Sequence, residues 1–202
     1  MTKPVIVTIT GKIIDYINPS IDQICIEDIA YNLSFINRWC GGTIVRYSVA
    51  EHSINCAKMS LAYDSKNKEQ ALYALLHDAA ETYTSDIPRP FHRAVPDFKR
   101  YEKRLMDLIR HKFKLDEKHF DKVVEIDNKM LTNEAEQILS SSMKESLSSL
   151  GFDFDNKFDK FIIKPFKDGF EAMKQFSNLY FVLTGERVDL EKLASYNREY
   201  NG

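Results

Sequence analysis

Through the middle of this chain apolar residues return every three or four positions, and a sequence with that rhythm buries its apolar surface as packed helices. Ile26, Ile29, Ala30, Leu33 and Ile36 make one such stripe, on a helix expected over Ile26–Asn37. Leu72, Leu75, Leu76 and Ala79 make another, on a helix expected over Glu69–Tyr83. Seven glycines and six prolines in 202 residues are too few for an all-β fold, which needs a turn every ~8–12 residues. Further helices are expected at Ser48–Tyr63, Asp97–Phe113, Asp116–Leu139 and Asp168–Thr184, the first opened by a capping box of Ser48 and Glu51. Pro88 and Pro90 should forbid a regular helix locally. Ser140–Leu150 keeps helical spacing and reads as a fraying helix end. Only Val5–Ile14, alternating around Gly11, suits a short β-hairpin or extended arm.

These elements describe a single all-α domain over 1–202. It comprises an N-terminal arm (1–25), a core (26–139) and a C-terminal helical extension (140–202) whose phenylalanines, Phe152 to Phe166, should be core or a subunit contact. The formal net charge of −2, with both signs mixed, offers no basic face for extended nucleic acid, yet leaves small anionic substrates open. Cys25, Cys40 and Cys56 show no metal-ligand spacing and fit free thiols of a reducing compartment. With no signal-like leader and no apolar run of about 18 residues, the expected location is the cytoplasm, with no membrane partner.

The chemistry centres on His77-Asp78, set in the apolar helical run Ala74-Leu75-Leu76-His77-Asp78-Ala79-Ala80-Glu81. Adjacent side chains on a helix splay by about 100°, so both can reach one ion only if other helices complete the shell. His52 on the preceding helix and Asp127 on a later one are the candidate partners. Asp116 and Asp121 are acidic neighbours that compete with Asp127 for that role. Two imidazoles and two carboxylates suit a divalent ion: Mn²⁺, Co²⁺, Zn²⁺ or Mg²⁺. Glu81, four residues after His77 and three after Asp78, shares their helix face and could move a proton. Asp86 follows in a loop stiffened by the two prolines.

In that order, His52 … His77-Asp78 … Asp127 resembles the H…HD…D signature of the HD-domain phosphohydrolase superfamily. The likeness is closest to bacterial 5′-deoxynucleotidases and phage-type deoxynucleotide (dATP) phosphohydrolases. It is carried by Ile36-Asn37-Arg38-Trp39, Val49-Ala50-Glu51-His52-Ser53, His77-Asp78-Ala79-Ala80-Glu81 and Thr84-Ser85-Asp86-Ile87-Pro88, within roughly Ile26–Leu139. The family's spacing, with the apolar sequence upstream, decides for Asp127. The resemblance implies an HD-domain helical bundle, one divalent ion, and hydrolysis of phosphate from deoxynucleotides by metal-activated water. It further implies that Glu81 and Asp86 are catalytic, that Arg38 and Trp39 bind substrate, and that the chain forms homo-oligomers. Removal of one phosphate from a dNMP and of triphosphate from a dNTP both stay open. Two other readings compete: a phosphodiesterase for cyclic nucleotides or oligonucleotides on the same scaffold, and a helical interaction module without catalysis. Arg46, Lys58, Arg89 and Arg93 are further candidates for phosphate contact; His92, His111 and His119 read as surface or packing residues.

Overall fold

Two short strands, β1 (Val5–Val7) and β2 (Ile13–Asp15), pair antiparallel with Ile6 opposite Ile14. Gly11 in their connection takes φ +79°, a conformation that a Cβ would strain. The computed structural model describes residues 3–193; the last part of the expected C-terminal extension lies outside them. Nine α-helices follow the hairpin among those residues: α1 (Ile26–Phe35), α2 (Val49–Tyr63), α3 (Lys68–Leu76), α4 (Glu81–Thr84), α5 (Arg89–Ala94), α6 (Pro96–Phe113), α7 (Phe120–Ile138), α8 (Ser141–Ser149) and α9 (Gly169–Thr184). The fold is therefore mostly helical with an N-terminal hairpin. Among the described residues no helix is long and apolar enough to cross a membrane.

One core draws on the hairpin, α1, α2, α3, α6, α7 and α9, with Ile14, Leu33, Ile54, Leu75, Leu76, Ile109, Ile126 and Phe176 almost wholly excluded from water. Burying each such side chain contributes roughly 1.5–3 kcal/mol. The hairpin is tied to the core by polar bonds as well. Thr10 donates from its N–H (3.1 Å) and Oγ1 (2.9 Å) to the buried Asp28 carboxylate on α1. On α7, the Asn133 amide both donates to the Phe158 carbonyl and accepts its N–H, and Gln137 does the same for Phe161 and Ile163. These clamps lay the phenylalanine-rich segment along the helix, with Phe158 buried and Phe161 and Phe166 packed against the core.

Four local expectations need correction. The helix expected over Glu69–Tyr83 is interrupted at His77–Ala80 by tight turns, Glu81 N–H reaching Asp78 O (3.0 Å) and Tyr83 N–H reaching Ala80 O (3.0 Å). The His77 ring supplies a cause: its Nδ1 lies 2.8 Å from the Ala74 carbonyl, which an unbroken helix would give to the Asp78 N–H. Pro88 and Pro90 do not prevent a helix; they open α5, where a missing N–H costs nothing. The segment after Leu139 is not a frayed end. Leu139 is extended, and the Ser140 hydroxyl caps a separate helix, α8. Finally, α1 stops at Phe35, since Asn37 turns away to bridge Ser48.

Candidate metal centre and cavity

Ser48 starts α2 with the expected capping box: its hydroxyl accepts the Glu51 N–H, and the Glu51 carboxylate accepts the Ser48 N–H. That carboxylate also accepts the Phe166 N–H at 2.7 Å, so the helix start is pinned from the far end of the chain. One residue on, His52 is fully buried. The His77 and Asp78 side chains come from the tightened turn after α3, and Asp127 from the second turn of α7.

All four meet. His52 Nε2 lies 3.3 Å from His77 Nε2, 3.1 Å from Asp127 Oδ1 and 3.6 Å from Asp78 Oδ2. His77 Nε2 lies 3.2 Å from Asp78 Oδ2 and 3.8 Å from Asp127 Oδ1. Both rings have their other nitrogen engaged, His77 Nδ1 on the Ala74 carbonyl and His52 Nδ1 on Glu134 Oε1 at 2.5 Å. Nδ1–H donation leaves each Nε2 lone pair turned inward, as metal-ligating histidines require. Cys56, one turn beyond His52, adds a third buried donor: its Sγ is 3.5 Å from His52 Nε2, and His52, Cys56 and His77 offer atoms within 4.8 Å of one another. This buried group could hold a metal ion.

Electrostatics point the same way. Burial and Arg38 push the His52 imidazole down, but Cys56, Glu134 and Asp127 overcome them and hold it well above its ordinary value. His77 is likewise held up, against burial, by Asp78 and Asp127. Burial raises the Asp78 carboxyl, yet His77 and His52 draw it down to about 2. Asp127, opposed by burial, is drawn well below the usual carboxylate range by the two imidazoles. The carboxylates thus stay ionised and demand positive charge between them, from protons on the imidazoles or from a cation in their place.

The centre forms the floor of a cavity of about 770 Å³. Glu81 and Asp86 line it beside His77, Asp78 and Asp127. Glu81 Oε2 is covered and has no hydrogen-bond partner, and burial together with Asp78 and Asp86 holds its carboxyl well above the usual range. Asp86 is also raised, by burial first. It is presented by Ser85 at φ 69°, ψ 163°, a region that side chains other than glycine rarely enter.

Arg38 and Trp39 line the cavity too, but their setting differs from the sequence reading. Arg38 is neither a surface residue nor free: its Nε (3.3 Å) and Nη2 (3.1 Å) donate to Glu134 Oε2, while Nη1 lies 3.6 Å from Asp78 Oδ2. The Trp39 indole donates to the same Glu134 oxygen at 3.2 Å. Glu134, with no exposed surface, is the residue the sequence reading missed. Its position seven residues after Asp127, two turns along one face of α7, was the available signal.

Of the further phosphate candidates, Arg46 is held by Glu51 and the Ser34 carbonyl, and Lys58 sits over the Phe166 ring. Arg89 alone of the four lines the cavity, 2.8 Å from Asp127 Oδ2. His92 packs on Phe98 and also lines the cavity, 3.8 Å from Glu102 Oε2, with its Nε2 covered and without a hydrogen-bond partner among the described residues. His119 is buried and His111 exposed, both away from the cavity.

No protein-family model matches the chain. It is 41% identical over 108 residues to the uncharacterized protein YfdR of Escherichia coli, covering 54% of this chain and 57% of that one. It is 38% identical over 90 residues to the uncharacterized protein RCAP_rcc00048 of Rhodobacter capsulatus, covering 43% of this chain and 46% of that one. The chain thus spans about half the length of these curated relatives.

Proposed function

We propose that this chain is an HD-type phosphohydrolase that removes phosphate from small-molecule deoxynucleotides with the help of one divalent ion. One observation carries the reading: the convergence of His52 Nε2, His77 Nε2, Asp78 Oδ2 and Asp127 Oδ1, with nitrogen–nitrogen and nitrogen–oxygen separations of 3.1–3.8 Å, on the floor of a cavity that also holds Glu81 and Asp86. Donors about 2.1 Å from a common ion stand about 3.4 Å apart in a tetrahedral shell and about 3.0 Å in an octahedral one. The set fits an ion without rearrangement. Cys56 is the softer alternative donor, at 3.5 Å from His52 Nε2, but Asp127 and Asp78 are held ionised and already carry the negative charge a cation needs.

A divalent ion held there would lower the pKa of water and polarise a phosphoryl oxygen. The side chains supply the rest. Arg38, fixed by Glu134, keeps Nη1 on the Asp78 side for a phosphoryl oxygen. Glu81, held neutral, gives its proton to the leaving oxygen as the P–O bond breaks, and the attacking water returns one as the new P–O bond forms. Trp39 offers a flat apolar surface to base or sugar.

For the length of the phosphate chain, α6 favours the triphosphate. Lys99, Lys103 and Arg110 line the cavity from that helix. Lys103 and Arg110 share Asp107, while Lys99 makes no hydrogen bond or ion pair among the described residues, which leaves its ammonium for a substrate anion. The test is turnover of metal-stripped protein against every dNMP and dNTP with Mn²⁺, Co²⁺, Mg²⁺ and Zn²⁺, products resolved as orthophosphate or tripolyphosphate. Hydrolysis dependent on an added ion supports the reading. Absence of both ion binding and hydrolysis overturns it in favour of a non-catalytic helical module, and two ions per chain would favour the phosphodiesterase.

A further inference from the structure

Glu134 has two oxygens and spends each on a different site. Oε1 takes the His52 Nδ1–H at 2.5 Å; Oε2 takes the Trp39 indole N–H at 3.2 Å and the Arg38 Nε and Nη2 at 3.3 and 3.1 Å. All four partners are nitrogen donors, so the arrangement needs an acceptor at both ends and has no use for a donor at either. The carboxylate is fully buried.

On the Trp39 side the bond fixes a side chain carried by a strained turn. Trp39 and Cys40 stand at φ 56° and 52°, a left-handed conformation that costs side-chain-bearing residues about 1–2 kcal/mol each. The backbone of this 3-10 turn is tied at its ends by Arg38 N–H to the Tyr47 carbonyl and Gly42 N–H to the Trp39 carbonyl. The indole itself is located by Glu134. On the His52 side, the same carboxylate selects the tautomer that leaves Nε2 free to ligate.

We propose that Glu134 is a positioning residue that makes ion binding at His52 and nucleotide binding at Trp39 and Arg38 support each other. The proposal rests on the metal-site reading above. An ion on Nε2 strengthens the Nδ1–H bond and fixes the carboxylate, which fixes the indole. A base stacked on Trp39 fixes the carboxylate from its other oxygen, and linkage requires the effect to be reciprocal. Arg38 accordingly works as a locked cation between Glu134 and Asp78, unlike an arginine that swings in with substrate.

Trp39 is the single tryptophan of the chain, so its fluorescence reports on the turn without any assay of activity. In metal-stripped protein, Zn²⁺, which neither absorbs nor quenches by paramagnetism, should shift the emission with the midpoint found for Zn²⁺ binding by competition with a chelating dye. Glu134→Gln leaves one acceptor for the two ends. It should weaken Zn²⁺ binding by roughly 10–100-fold and leave the emission indifferent to the ion. Glu134→Asp, which keeps both oxygens on a shorter arm, should recover part of each effect. Trp39→Phe should weaken Zn²⁺ binding severalfold although the indole touches no ligand atom, and this variant serves if Glu134→Gln fails to fold. A merely structural Glu134 would lower thermal stability and leave Zn²⁺ affinity within about twofold in both variants; that result, or Zn²⁺ binding with unchanged wild-type emission, overturns the proposal. Wild-type protein that takes up none of the four ions instead overturns the metal reading on which it rests.

Discussion

Asp127 and Glu134 hold opposite edges of one imidazole: Asp127 Oδ1 lies 3.1 Å from His52 Nε2, and Glu134 Oε1 lies 2.5 Å from His52 Nδ1. Seven residues are nearly two helical turns, so α7 presents both carboxylates along one stripe, with His52 of α2 between them. One helix thereby offers a candidate ion donor and the group that orients the imidazole beside it. This division of labour lets the site be read residue by residue, and it separates the consequences of changing each one.

The ligand set has two versions, one with Cys56 and one with the carboxylates, and single substitutions decide between them. Asp127→Ala should lower bound Mn²⁺ or Co²⁺ from about one per chain to a small fraction, since it removes a charged donor and leaves Asp78 alone to balance the charge of the ion. Cys56→Ala should keep the ion and cost stability only, on the order of 1 kcal/mol for a small buried side chain. Elemental analysis after dialysis, with a Co²⁺ absorption spectrum, checks both. Loss of the ion in the cysteine variant, or a thiolate-to-cobalt charge-transfer band in the wild type, would move Cys56 into the set.

Glu81 is the unpartnered carboxyl of the cavity. Glu81→Gln should bind the ion as wild type does and lose about 10²–10⁴ in turnover, the usual worth of a positioned proton donor. Because its carboxyl is held well above the usual range by burial, Asp78 and Asp86, wild-type turnover should fall as pH rises through that raised value, and the glutamine variant should lack this limb. A variant with near-normal kcat would assign the proton to another group.

Helices, caps and the two histidines of the candidate centre were legible in the sequence because they rest on local chemistry: apolar spacing at 26–36, the Ser48/Glu51 box, a His-Asp pair in an apolar run. What escaped notice depends on contacts far along the chain. Glu134 looked like one of several acidic residues in Asn133-Glu134-Ala135-Glu136, and only the approach of α2 and the Arg38 turn, 82 and 96 residues away, makes it a buried hub. That His92 also lines the cavity was not legible, since nothing local announces that α5 and α6 wall it. The break at His77 was hidden because it comes from the ring's own bond to the Ala74 carbonyl, which propensity does not register.

Lys99 lines the cavity and makes no hydrogen bond or ion pair among the described residues, so its charge should matter most for the outer phosphates of a substrate. Lys99→Ala should raise KM for a deoxynucleoside triphosphate about 10–100-fold, the scale of one charge-assisted hydrogen bond, while KM for the monophosphate stays within about twofold. Equal effects on both would place the lysine near the first phosphate or make its role general steering. Added salt separates these, since steering weakens as the Debye length shortens.

Ser85 holds Asp86 at a backbone angle suited to glycine. Such conformations cost on the order of 1–3 kcal/mol, against which glycine's extra chain entropy costs about 0.5–1 kcal/mol. Ser85→Gly should therefore stabilise the fold by about 1 kcal/mol, or about 2–4 °C in Tm for a chain of this size. The same change frees the loop, and turnover should drop. A variant both less stable and fully active would show that the serine is neither strained nor needed to aim Asp86.

Glu102 carries the clearest pH signature. Burial, then Asp78 and Asp86, push its carboxyl up to about 7 against the opposing pull of Lys99. Below the ordinary carboxylate value the group is neutral in both folded and unfolded chains and contributes no pH dependence. As pH climbs from about 4.5 to 7 the unfolded chain gives up this proton while the folded one retains it, so ionisation favours unfolding. Stability from this group is hence lost with rising pH, by no more than about 3 kcal/mol, and by less to the extent that water reaches a side chain that is 23% exposed. Glu102→Gln, permanently neutral, should be about as stable as wild type at pH 5 and more stable at pH 8. Urea unfolding at the two pH values measures the difference, which should persist in metal-stripped protein because Glu102 is not among the four ion donors. If the two proteins lose stability in parallel between pH 5 and 8, the carboxyl ionises in the folded chain as freely as in water, and the buried end of the cavity is wetter than the packing of His92 on Phe98, at 5.0 Å between ring centres, indicates.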